Sequence, residues 1–97
     1  MYGILFAMES PLQGFRDRLD TIDGQLVQLL AERFEVTAQV GAVKRDSGLP
    51  PQDPAREAAQ MERIAGMAEA VGLNPEFAQR FLRVVIDEVV ENHKAMH

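Results

Sequence analysis

The sequence predicts an all-α fold of three helices, the first much the longest, on three observations. Apolar residues keep a three-and-four spacing from Leu12 to Val43. Asp53-Pro54 and Asn74-Pro75 each open a further helical pattern. No alternation of apolar and polar residues is long enough to compete as a sheet.

The first element rests on Leu12, Phe15, Leu19, Ile22, Leu26, Leu29, Arg33, Val36, Val40 and Val43, which predict one helix from about residue 12 to 45 with a continuous packing seam. Thr21, Gly24, Thr37 and Gly41 lower its propensity locally, a cost that packing can offset. SGLPPQDP, residues 47–54, has the composition of a turn. Asp53 then fits an N-cap with Pro54 at the first helical position, and Met61, Ile64, Ala68 and Val71 carry a second helix to about Val71, where Gly72 can supply a left-handed cap. Asn74 and Pro75 repeat the start signal. Phe77, Phe81, Leu82, Val85, Ile86, Val89 and Val90 form the broad apolar face of a third helix reaching the mid-nineties. Residues 1–11 read as an N-terminal extension, with Met8 a possible alternative start, and 12–97 as the helical domain.

Ninety-seven residues leave room for one domain and exclude a large two-domain enzyme. Ten Lys and Arg against fifteen Asp and Glu, a net charge of -5 with no basic block, argue against a general nucleic-acid binder. The absence of cysteine removes disulfides, thiolate nucleophiles and Cys-ligated metals. MYGILFAM is too short to span a bilayer and lacks the basic start and cleavage region of a signal peptide, so no membrane association and a cytoplasmic location are expected.

Length also speaks to assembly. A helix over 12–45 extends roughly 50 Å, against a radius of gyration of about 13 Å for a compact domain of this size. The two later helices, of about 18 and 21 residues, cannot cover such a seam, and a second copy is the economical cover. A homodimer is therefore expected; the alternative is a first helix broken near Gly24 or Gly41 and folded back as a monomeric bundle.

Several polar residues do not fit a purely structural reading. Arg33 sits in the apolar seam, where an unpaired guanidinium is expensive, so it requires a carboxylate, an anionic ligand or a snorkelling route to water. Lys44, eleven residues on, lies within about 20 degrees of the same face and roughly 16 Å along the axis. Arg16 stands about 25 Å from Arg33 and could reach a shared pocket only from the other chain of an antiparallel pair. Asp53 is most cheaply explained as a cap, and Arg56 faces away from Glu57. Glu57 shares the inward stripe with Met61 and gains from the helix dipole. His93 follows Val85 and Val89 onto the apolar side of the third helix, without the spacing of a zinc site. There is no Ser-His-Asp order, glycine-rich phosphate loop or catalytic thiol. This inventory suits forked and point-charge binding of a compact, multiply negative organic anion, without metal or cofactor.

The phrases FRDRLDTIDGQLVQLLAER (15–33), VGAVK (40–44), DPARE (53–57), LNPEF and VVIDEVV, in that order, resemble the all-helical chorismate mutases of the small bacterial AroQ class, from about Leu12 to Lys94. The resemblance implies an intertwined homodimer with shared active sites. It also implies intramolecular Claisen rearrangement of chorismate to prephenate, an early step towards phenylalanine and tyrosine. By the same resemblance Arg33 and the other subunit's Arg16 bind the substrate carboxylates. Lys44 contacts a carboxylate and the ether oxygen, and Glu57 accepts from the substrate hydroxyl. Asp53 lies beside that hydroxyl, with its cap geometry mattering more than its charge, and Arg56 shapes the pocket mouth. Two positions depart from the pattern: Val89 replaces a serine near a carboxylate, and His93 replaces the Gln or Glu near the ether oxygen. An imidazole there would donate a hydrogen bond, more strongly as the imidazolium, so activity favoured as the pH falls is expected.

Two other functions stay open at this point: an isochorismate pyruvate lyase, sharing the architecture and much of the cationic site, and a non-catalytic helical dimerisation or regulatory module. With no dehydrogenase, dehydratase or synthase domain in the sequence, a monofunctional mutase is expected.

Overall fold

The computed structural model describes the backbone of residues 2–97 and the side chains of residues 11–97. It consists of α1 (Tyr2–Asp46), α2 (Pro54–Ala70) and α3 (Pro75–Met96), and among the described residues there is no strand. The first helix begins at Tyr2 rather than near Leu12. Ile4, Leu5, Ala7 and Met8 are adequate helix formers, and Pro11 lies inside the helix without ending it. The side chains expected to form an extension thus lie, Pro11 apart, outside the described residues. α1 is helical through both Gly24 and Gly41, so the broken-helix alternative is not realised.

The expected punctuation is observed. Gly48, at φ 69°, occupies the turn that follows α1, and Gly72, at φ 76°, sits just past α2; a side chain is strained at either position. Asp53 Oδ1 accepts from the Arg56 backbone N–H at 3.1 Å. Asn74 Oδ1 accepts from Glu76 and Phe77 N–H groups at 2.9 and 3.3 Å. Each cap satisfies donors that the first helical turn leaves without carbonyl partners, and the following proline removes another at no cost.

The chain divides into two compact units, Met1–Phe34 and Glu35–His97. In the first, Leu12, Phe15, Leu19, Ile22, Leu26 and Leu29 are 47% to 63% exposed. Among the described residues of their own unit they form no core. Val36, Val40 and Val43 of the second unit are exposed as well.

The second unit holds the core. Ala78, Leu82, Val85, Ile86 and His93 form the buried stripe of α3, and Ala68 is its buried counterpart on α2. Each of the three larger aliphatic side chains contributes about 1.5–3 kcal/mol of burial free energy, as an upper bound. Gln79 Nε2 donates to the Met61 carbonyl at 3.2 Å, and Arg83 Nη1 reaches Glu57 Oε1 at 2.8 Å. Partner numbers on α2 fall as those on α3 rise, so the two helices pack antiparallel. Phe77, Phe81 and Val71, expected to be inward, are exposed. Phe77 instead lies under the Arg80 guanidinium, 5.9 Å from the ring centroid.

Candidate functional site

The N-terminus of α2 is built around two carboxylates with separate tasks. Asp53 is the cap and is exposed, its Oδ1 occupied by backbone. Glu57, one turn on, is 12% exposed at its side chain. Its Oε1 accepts from Arg83 Nη1, while Oε2 is buried and accepts no hydrogen bond among the described residues. Arg83 Nη1 is shared with Asp87 Oδ1 at 3.4 Å, one turn along α3. Led by the hydrogen bond to Glu57, these two carboxylates raise the Arg83 pKa above its ordinary value, against opposing desolvation, so the side chain is always a cation.

Lys44 ends α1 half-buried, with Nζ 3.4 Å from the Pro51 carbonyl. That bond ties the lysine to the loop that delivers Asp53, and two further Nζ protons remain for a ligand. Arg56 is exposed. Arg33 is half-buried and Arg16 exposed, both in the first unit. The ion pairs among the described residues are Arg45–Asp46, Arg83–Glu57, Arg83–Asp87 and Lys94–Glu91. Arg16, Arg33, Lys44 and Arg56 thus pair with no carboxylate there, but neither do Arg18, Arg63 and Arg80, so lack of pairing alone does not mark a site.

His93 is 3% exposed, and its Nε2 lies 2.8 Å from the Thr37 carbonyl. A carbonyl only accepts, so Nε2 carries the proton; Nδ1 is buried without a partner among the described residues. This narrows the sequence expectation: the neutral ring has its single N–H committed to Thr37, and only the imidazolium has a second N–H, at Nδ1. The ring fits because residue 41 is glycine. A Cβ there would stand 2.6 Å from His93 Cδ2, 2.7 Å from Met96 Sδ and 2.9 Å from His93 Nε2. Val89, half-buried on α3, offers no hydrogen bond, as expected from its side chain.

Within the second unit the structure therefore brings Arg83 to Glu57 at the start of α2 and ties Lys44 to the loop before Asp53 through the Pro51 carbonyl; His93 is held on α1 at Thr37 and Gly41. Arg83 is the neighbour of Glu57 that the sequence does not reveal. Its i,i+4 spacing to Asp87 suggests only a surface pair, and its approach to Glu57 requires the antiparallel register of α2 and α3.

Fold and side chains define a class: an all-helical protein of three helices, with a capped α2–α3 hairpin and, at the start of α2, a nearly buried glutamate held from α3. The family model described as chorismate mutase type II matches residues 15–94, and the chain belongs to that family. It is 41% identical over 81 residues to the T-protein of Enterobacter agglomerans and 36% identical over 81 residues to that of Haemophilus influenzae. Each match covers 84% of this chain and 22% of the relative. The bifunctional chorismate mutase/prephenate dehydratase of Escherichia coli K12 is 32% identical over 88 residues, covering 91% of this chain and 23% of that protein. The chain thus spans about a fifth of the length of these relatives.

Proposed function

We propose that this protein is a chorismate mutase, converting chorismate to prephenate. The observation that carries the reading is the family match over 15–94, a stretch that contains every candidate site residue from Arg16 to His93. Arg33 and the partner chain's Arg16 clamp the substrate carboxylates through forked contacts, and Lys44 serves a carboxylate and the ether oxygen. Glu57 receives the substrate hydroxyl at its buried Oε2, beside the Asp53 cap, with Arg56 at the mouth. The rearrangement needs no covalent intermediate and no proton abstraction. The site selects the folded, chair-like conformer and places positive charge where the ether oxygen becomes more negative as its bond to carbon stretches. Metal and cofactor have no part in this mechanism.

The homodimer belongs to the same proposal. The exposed apolar seam from Leu12 to Leu29 supports it, since a second copy of this chain supplies the missing cover. A cytoplasmic location is likewise proposed, from the biosynthetic chemistry.

A chorismate-disappearance assay on purified protein, with product identification, tests the reading. Prephenate is the expected product. Salicylate and pyruvate from isochorismate would instead identify the lyase, and turnover of neither substrate would leave a dimerisation or regulatory module.

A further inference from the structure

We propose that Arg83 is a positioning residue of this site, acting through Glu57; the inference rests on the mutase reading above. A glutamate side chain has several rotatable bonds, and an ionised one that is 12% exposed needs a partner to remain buried in a single orientation. Arg83 supplies that partner from the facing helix, at 2.8 Å on Oε1. The bond engages only one of the two oxygens. Oε2 stays buried and without a donor among the described residues; in the proposed site it is the acceptor left for a substrate hydroxyl.

Arg83 is itself held. Asp87, one turn further along α3, takes the same Nη1 at 3.4 Å and limits the directions from which the guanidinium can approach. Arg83 is nonetheless 44% and Asp87 65% exposed at their side chains, where ion pairs contribute little to folding. The asymmetry between a nearly buried Glu57 and a half-exposed Arg83 gives the pair a distinctive signature: losing the arginine disturbs the acceptor far more than it disturbs the fold. The relevant property of Arg83 is a fixed positive charge at the correct distance from Oε1, which a lysine reproduces in part and a glutamine does not.

The test is a double-mutant cycle on kcat/KM for chorismate in the full-length protein, with thermal melting followed in parallel. Arg83→Gln is expected to lower kcat/KM about tenfold in the wild-type background and to have no further effect in Glu57→Gln, with melting nearly unchanged in both. Arg83→Lys is expected to lose only about threefold, again only while Glu57 is present. Should the glutamine variant not fold, the lysine cycle decides alone. Arg63→Gln, which removes an exposed cation elsewhere on α2, serves as the charge control and is expected to behave as wild type. Full activity in Arg83→Gln, or losses of equal size with and without Glu57, would overturn the proposal. If the wild type turns over no chorismate, the functional reading itself fails and this inference with it. An active wild type indifferent to Arg83 would reject this inference alone.

Discussion

Arg33→Ala is expected to reduce kcat/KM for chorismate by about 10²–10³-fold while leaving the melting temperature essentially unchanged. The residue sits half-buried in a seam otherwise made of Leu, Ile, Val and Phe, and it pairs with no carboxylate among the described residues. A guanidinium so placed has little to contribute to folding. Its forked geometry matches a carboxylate, so Arg33→Lys should recover only part of the loss. Activity within about threefold of wild type in the alanine variant would remove Arg33 from the site.

The same residue tests whether sites are shared between chains. If Arg33 of one chain and Arg16 of the other serve one pocket, mixing inactive Arg16→Ala with inactive Arg33→Ala creates heterodimers with one intact site and one doubly defective site. Equal mixing should restore about a quarter of wild-type activity, since half of the dimers are mixed and each has one working pocket. No recovery after verified subunit exchange would mean that both arginines belong to the pocket of a single chain.

The second large effect concerns folding. Gly41→Ala is expected to destabilise the protein by about 1–2 kcal/mol: overpacking costs about 1–3 kcal/mol, and the better helix propensity of alanine returns up to about 1. The new methyl group would collide with the His93 ring, which is buried and cannot swing away freely, and with Met96 Sδ, which can. In a domain of this size the loss lowers the melting temperature by roughly 5–15 °C. Gly66→Ala is the contrast, because nothing lies within 4 Å of a Cβ at that position; it should be neutral or slightly stabilising. Truncating the obstructing ring with His93→Ala should relieve much of the Gly41→Ala penalty. If Gly41→Ala melts like Gly66→Ala, the close approach of α3 to α1 at this point does not occur.

The helices and most of their ends are legible in the residue order because the forces that set them are local. Asp53 and Asn74 cap turns three or fewer residues away, Gly48 and Gly72 supply backbone conformations that other residues resist, and the apolar rhythm follows from 3.6 residues per turn. The start of α1 is the exception. The apolar rhythm begins at Leu12, whereas the helix begins at Tyr2 and runs through Pro11.

Residue types also marked most of the candidate site, since a cation in an apolar seam and a carboxylate on an inward stripe are anomalies visible without coordinates. Their partners are not visible in that way. Glu57 meets Arg83 across 26 residues and His93 meets Thr37 across 56, and each pairing depends on how separate helices align. Periodicity specifies which face of a helix is apolar, but it carries no information on the register between one helix and another. Hence the sequence established three helices, two of them opened by side-chain caps, a long apolar seam on the first and a set of cations suited to an anion. Packing of α3 against α2 and α1 decided that Glu57 keeps one buried oxygen without a donor among the described residues, and that the neutral His93 has already spent its only N–H.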